Sequence, residues 1–202
     1  RALNEAKVKG QDLVTVCSAC HHVIKRTNDD MKNVEDIRTR ANNYMELEEP
    51  YAGETTVLHY LEVLRDRVGF DVLKEKVVKP LGRKIGAYYG CLLLRPSKIV
   101  QFDNPENPTI IEDFIKAIGG EPVIYPYRNE CCGGYVSLKE KEMAGKMVDR
   151  IMDSAAGMGA EELITACPLC MYNLNKSESA NKLPVYYFTE LLAEALGLKE
   201  EV

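Results

Sequence analysis

The 202-residue sequence has no tryptophan, three histidines and an aromatic content of 7%. No apolar run approaches the ~18–20 residues that cross a bilayer, which argues against an integral membrane protein. There is no surplus of positive charge: 26 Lys and Arg are outnumbered by 31 Asp and Glu, for a formal net charge of -5. That balance argues against a nucleic-acid partner or an anionic-lipid surface. The first residues, Arg1-Ala2-Leu3-Asn4, include no initiator Met and show neither an apolar signal core nor transit-peptide character. What is present is a globular mix, 46% hydrophobic and 28% charged, which excludes a disordered chain and a collagen-like fibre. Seven cysteines are an odd number, so a complete disulfide framework within the chain is impossible.

Short apolar runs alternate with helical patterns. Leu13-Val14-Thr15-Val16 reads as a strand ending on Cys17-Ser18-Ala19-Cys20. Residues 27–50 are polar and acidic, a surface helix or loop, and the acidic residues Glu46, Glu48 and Glu49 read as a solvated face. Leu58, Leu61, Leu64 and Val68 recur at helical spacing and predict one helix from Thr55 to Val68, continued by a turn or two over 70–78. Strands are expected at 84–90, 122–125 and 163–166, and helices at 109–118, 138–156 and 189–196. The turn formers Asp103-Asn104-Pro105-Glu106-Asn107-Pro108 precede the first of these helices and are expected to cap it. The alternation predicts an α/β fold with a parallel-rich sheet flanked by helices.

The sequence also repeats itself. Leu13 to Cys20 matches Leu163 to Cys170, a strand and then Cys-x-x-Cys each time, and Val57 to Gly69 matches Val185 to Gly197 with Glu62 and Glu190 in register. Cys91 lies 76 residues before Cys167, but only 16 residues precede Cys17. On that arithmetic the first copy is expected to lack about 60 residues. The chain then divides into residues 1–82, the C-terminal part of a first copy plus a linker helix, and residues 83–202, a complete second copy.

In the second copy, thirty-nine residues separate Cys91 from Cys131-Cys132, and thirty-four more precede Cys167-Pro168-Leu169-Cys170. Several of these fall where a strand ends, at the carboxyl edge where α/β sheets place their sites. Five converging thiols repel once ionised and need a cation, and they exceed the four positions of tetrahedral zinc. Adjacent Cys131 and Cys132 suit neighbouring metal atoms better than one ion. Gly133 and Gly134 allow a close backbone approach. An iron–sulfur cluster is the favoured reading. Zinc, a redox-active dithiol, and c-type haem at Cys17-Ser-Ala-Cys20-His21 are weighed below it. His21, His22 and His59 read as ordinary surface or core histidines. Arg95 is a candidate to neutralise a cluster or an anionic substrate. The tyrosines at 88, 89, 125, 127 and 135 lie near the cysteines, and core packing is their default explanation.

The pattern Cys-x39-Cys-Cys-Gly-x33-Cys-Pro-x-Cys resembles the cysteine-rich CCG domain. Tyr89-Gly90-Cys91-Leu-Leu-Leu-Arg95-Pro96, Phe102 to Pro108, Glu130-Cys131-Cys132-Gly133 and Ala166-Cys167-Pro168-Leu169-Cys170 are similar to the heterodisulfide reductase B subunit in particular. The resemblance implies a noncubane [4Fe-4S] cluster in each CCG domain, with the two clusters facing each other across the substrate. It makes Cys91, Cys131, Cys132, Cys167 and Cys170 ligands of the second cluster, and Cys17 and Cys20 the last two ligands of a first cluster that residues 1–82 leave incomplete. It implies reduction of a disulfide, the CoB-S-S-CoM heterodisulfide of methanogenesis or a similar one, to two thiols in a reducing, anaerobic cytoplasm. Electrons would come from two partners of the same complex, a ferredoxin-like iron–sulfur subunit (the C subunit) and a flavoprotein (the A subunit). Related iron–sulfur subunits of 2-hydroxy-acid oxidation share the cysteines and form the alternative reading. A zinc-stabilised interaction module without redox chemistry is the alternative from another class. Zinc or an empty site is also an expected product of aerobic preparation.

Overall fold

The computed structural model describes residues 1–198. Its short apolar runs become six strands, β1 (Leu13–Thr15), β2 (Val57–His59), β3 (Lys84–Tyr88), β4 (Glu121–Val123), β5 (Glu162–Thr165) and β6 (Val185–Tyr187). Every pairing is parallel: β1 with β2 in one sheet, and β4-β3-β5-β6 in a second. Strand β5 is buried at all four residues, as a parallel strand covered on both faces must be. The expected α/β class is therefore observed.

Parallel neighbours need crossovers, and helices supply them. In the first unit α1 (Ala2–Val8) precedes β1, and α2 (Ser18–Asn33) with α3 (Glu35–Met45) links β1 to β2. After β2 come α4 (Tyr60–Val63), a π turn over Leu64–Val68 and α5 (Phe70–Lys76). In the second unit α6 (Ser97–Val100) and α7 (Ile110–Ala117) link β3 to β4. Helix α8 (Lys141–Gly157) returns to β5, α9 (Pro168–Leu174) leads to β6, and α10 (Phe188–Ala195) follows. Asp103 caps α7 as expected, its carboxylate accepting from the Thr109 and Ile110 amides at 2.7 and 2.9 Å.

The pleat of the larger sheet sorts side chains into two cores. Ile85, Ala87 and Ile164 join Phe114, Ile115 and Phe188 on one face. Tyr88 and Leu163 join Val148, Ile151, Met152 and the buried thiols of Cys132, Cys167 and Cys170 on the other. Leu61, Leu64 and Leu73 of the first unit belong to the first core, so the two units share one apolar interior.

The sequence repeat is also a structural one. Leu13 to Thr15 pairs with Val57 to His59, and Leu163 to Thr165 pairs with Val185 to Tyr187, in the same register. Each second strand runs into a helix whose Glu side chain accepts from the strand's last amide: Glu62 from His59 and Glu190 from Tyr187, both at 2.7 Å. This corrects the expected helix over 55–68. Val57, Leu58 and His59 are a strand, because β1 lies beside them to take their backbone bonds, and the Glu62 cap fixes where the helix begins.

His59 and His21 are fully buried against each other, ring centroids 5.6 Å apart, with His59 also against Phe102 and Phe188. Burial pushes both imidazoles down to about 3. They are neutral in the fold and gain protons only on unfolding, so stability falls as pH drops below ~6.5 towards the folded values. Burial raises the Glu62 carboxyl, which offsets part of that loss by taking up a proton in the folded chain. Replacing His59→Phe should reduce the loss between pH 6.5 and 5 by about 2 kcal/mol, at ~1.4 kcal/mol per pH unit. Urea denaturation at both pH values checks this; parallel losses in the two proteins would count against it.

Candidate metal centre

In a parallel sheet all carboxyl ends share one edge, and β3, β4 and β5 each deliver cysteines there. Cys91 follows β3, Cys131 and Cys132 sit in the loop after β4, and Cys167 and Cys170 open α9 after β5. Their five thiols line a single cavity of about 60 Å3, together with Ser18, Tyr89, Leu92, Gly134, Tyr135 and Leu169. Cys132 Sγ stands 3.5 Å from Cys170 Sγ. Among the described residues no three His, Cys, Asp or Glu side chains are arranged to take one metal ion. Five cysteines at one cavity exceed the four positions of a tetrahedral zinc.

Buried polar contacts hold the loops around this space. The Tyr88 hydroxyl donates to Glu130 O at 2.7 Å, and the Tyr89 amide donates to Arg128 O at 2.8 Å. Arg128 pairs with buried Glu112 at 3.0 Å, and Glu112 in turn accepts from the Tyr89 hydroxyl. Asn173 Nδ2 donates to Cys132 O at 3.1 Å. Gly90 has φ +65°, and a Cβ there would stand 3.1 Å from Cys170 Sγ. Sequence reasoning missed Gly90, Glu112, Arg128 and Asn173 as supports of the site. Asn173 alone carried a usable signal, one helical turn after Cys170. Nothing in the sequence joins Glu112 to Arg128, because a strand and a turn separate them.

Burial alone drives thiols up, yet three of these five are driven down. Cys131 falls to about 6 because the Cys91 thiol donates to it, with the Gly133 and Gly134 amides adding to the effect. Cys167 falls to about 6 because the Cys170 thiol donates to it, joined by the amides of Cys170, Leu169 and Ala19. Cys132 falls as well, through the Cys170 thiol and the Gly134 amide. Cys91 and Cys170, the donors, are pushed up. The Gly133 amide donates at 3.3 Å to Cys131 Sγ, a sulfur that must become a thiolate to bind metal.

The cysteine-rich domain model named CCG matches residues 85–175, a span that holds all five of these cysteines. The 8-methylmenaquinol:fumarate reductase membrane anchor subunit of Wolinella succinogenes is 31% identical over 98% of the chain and 72% of its own length. The chain belongs to the CCG cysteine-rich domain family. The B subunit of a Ferredoxin/F(420)H(2)-dependent CoB-CoM heterodisulfide reductase, from Methanosarcina acetivorans, is 27% identical over 95% of the chain and 68% of its own length. A protein of Archaeoglobus profundus, described as like the heterodisulfide reductase B subunit, is 26% identical over all of the chain and 72% of its own length. The Wolinella and Methanosarcina relatives are named as subunits of oxidoreductases. Among the described residues no helix is long and apolar enough to cross a membrane.

The remaining candidates of the CCG chain fall at different distances from the cavity. Cys17 is half-buried and Cys20 exposed, and the Cys20 amide donates to Cys17 Sγ at 3.3 Å. Neither thiol lines the cavity, though Ser18 between them does. Burial raises the Cys17 thiol to about 11. Gly134 lines the cavity, and Gly133, at φ +73°, lets the loop approach Ala144 of α8. Arg95 is placed outside the lining: its guanidinium donates to Asn129 O at 3.1 Å and lies 3.5 Å from Glu106. His22 reaches from α2 to Leu92 O at 3.2 Å, and His21 and His59 are core residues.

The close approach of Gly90 to Cys170 gives a direct test. Gly90→Ala should cost about 1–2 kcal/mol through its left-handed backbone alone. It should also displace the Cys170 sulfur and lower iron retention on gel filtration. Unfolding of metal-free protein, with iron counted after anaerobic reconstitution, checks both; full iron content would show that the approach is not needed.

Proposed function

We propose that this chain is an iron–sulfur subunit that reduces a disulfide to two thiols with electrons from partner proteins. The observation that carries the reading is the set of five cysteines around one cavity, with the Gly133 amide already donating to Cys131 Sγ at 3.3 Å. Cys91, Cys131, Cys132, Cys167 and Cys170 would hold a [4Fe-4S] cluster of the noncubane type. Bound there, the cluster would supply one-electron steps and a metal surface for sulfur. Cleaving the disulfide consumes two electrons and two protons and releases two thiols.

The protein's own groups do the rest. Gly133, Gly134, Leu169 and Cys170 offer amides that stabilise ligand thiolates, and Gly90 and Asn173 fix Cys170 and Cys132 in place. Leu169 and Tyr135, both exposed, give the cavity mouth an apolar rim where a small thiol or disulfide would lie. Residues 1–82 carry the Cys-x-x-Cys unit of a first CCG copy, with Cys17 and Cys20 as two ligands of its cluster. Residues 83–202 form the second copy. The CoB-CoM heterodisulfide is the substrate we favour, with a ferredoxin-like protein and a flavoprotein as partners in a reducing cytoplasm. The heterodisulfide reductase relatives support that choice. The fumarate reductase relative supports a second reading, an electron-transfer subunit that does not touch a disulfide.

Protein expressed and purified without oxygen should hold about four irons and four sulfides per chain in the second copy, with a brown colour. Cys131→Ser and Cys132→Ser should each remove most of both. Oxidation of the reduced protein by CoB-S-S-CoM would favour the first reading, and inertness towards it the second. One zinc and no sulfide, even after anaerobic reconstitution, would replace both with a structural zinc module.

A further inference from the structure

Helix α2 of the first unit stands against the second unit's cavity and forms part of its wall. Ser18, buried at the start of α2, is among the residues that line it. Ser18 donates to Ala166 O twice, from its amide at 2.9 Å and from its hydroxyl at 2.8 Å. One turn further along the same helix face, His22 Nδ1 lies 3.2 Å from Leu92 O. A carbonyl oxygen only accepts, so that nitrogen carries the proton. Ala166 immediately precedes Cys167, and Leu92 immediately follows Cys91. Two side chains about 6 Å apart along one helix therefore grip the backbone beside two of the five cysteines. The Tyr187 hydroxyl closes the junction, 2.6 Å from Val16 O and 3.0 Å from Ala166 O, sharing its proton between them.

The internal repeat shows that these bonds are not a requirement of the fold. Positions 18 and 22 match 168 and 172. Pro168 has neither an N–H nor a hydroxyl to give, and Tyr172 is exposed, its hydroxyl accepting from Lys176. Both turns open alike all the same, on extended N-cap residues: Cys17 at φ -126° and Cys167 at φ -133°. The copies share the turn, and only the first carries donors at these two positions, on the helix that faces the five-cysteine cavity.

Strands β3 and β5 are paired as far as Tyr88 and Thr165, and Cys91 and Cys167 lie beyond those residues. The sheet alone thus leaves the separation of the two cysteines unset, and a metal group bonded to both sulfurs does not tolerate drift between them. We infer that α2 is a strut for the second site: Ser18 and His22 are positioning residues that hold the segments carrying Cys167 and Cys91 at the separation the metal group needs. The inference rests on the iron–sulfur reading proposed above. It makes residues 1–82 part of the second site whatever they bind themselves.

The test uses the full chain, loaded with iron and sulfide without oxygen, and reads iron release to a chelator and the EPR signal of the reduced protein. Ser18→Pro copies the second turn and deletes both Ser18 bonds, and proline suits the first helical position after an extended residue. Ser18→Ala keeps the amide bond and serves if the proline variant does not fold. His22→Leu deletes the other bond, and His22→Asn restores a donor near the Nδ1 position. Tyr60→Leu thins the packing on Phe188 away from the cavity and controls for a general loosening of the two units. We expect iron release about fivefold faster and an altered EPR signal in Ser18→Pro and His22→Leu, a smaller change in Ser18→Ala, and recovery in His22→Asn. Tyr60→Leu should show neither change at a comparable loss of urea stability. Unchanged release and EPR in the Ser18 and His22→Leu variants, or the same changes in Tyr60→Leu, would overturn the inference. A second readout needs no metal. In the reduced metal-free chain, Ser18→Pro should speed alkylation of the buried Cys167 thiol and His22→Leu that of Cys91, as read by mass spectrometry; unaltered rates would also overturn it. A chain that takes up no iron but shows these faster rates would keep the strut and sink the iron–sulfur reading alone.

Discussion

The structure depends on one constraint: five thiols must be brought out of water together and still be able to ionise. Burial opposes ionisation, and each new thiolate opposes the next. The fold answers with backbone dipoles. Parallel strands bring Cys91, Cys131, Cys132 and Cys167 to one sheet edge, and the Gly133-Gly134 loop and the start of α9 supply N–H groups there that help to lower Cys131 and Cys167. Positive φ at Gly90 and Gly133 follows from the same demand, since both positions let backbone pass within contact of a sulfur or of the helix behind it. The buried Tyr89, Glu112 and Arg128 network then holds the loop after β4 against the end of β3. A charged pair placed this deep is a poor source of stability. Its position beside the cavity accounts for it better, as a brace for the loop that carries Cys131 and Cys132.

Much of this was legible in the sequence, for definite reasons. Each Cys-x-x-Cys follows a short apolar run, and a strand that ends on a ligand is a local pattern that needs no partner to be seen. The repeat was legible because both copies keep the Glu that caps the helix after the second strand. Strand β2 was not. Val57, Leu58 and His59 lie within a run whose apolar spacing also suits a helix, and only their pairing with β1, more than forty residues away, makes them extended. The site's supports were hidden for the same reason. Glu112 and Arg128 are adjacent only in the fold.

The two copies keep their backbone and have diverged in what they place on it. Position 59 carries an imidazole enclosed by Phe102 and Phe188, whereas the matching Tyr187 sends its hydroxyl across to the other copy's turn. His21 is buried beside His59, whereas the matching Met171 packs beside the thiol-bearing core. At these positions the first unit's imidazoles are enclosed, the second unit's Tyr187 reaches across to the first, and the second unit carries five of the seven cysteines.

That asymmetry bears on why the units share a core. Phe188 of the second unit packs against His59 and Tyr60 of the first and against Phe114 of its own, so separating the units would expose aromatic surface from both. Ser18 can hold a fixed relation to a carbonyl 148 residues away only if the bodies that carry them do not slide. The Ser18 and Tyr187 bonds set that relation locally, but two or three hydrogen bonds, each worth ~1 kcal/mol net, would not maintain it against solvent. The aromatic contacts behind them bury far more apolar area and are insensitive to small rotations. Packing therefore supplies the rigidity, and the polar junction converts it into a defined position of one Cys-x-x-Cys turn against the other.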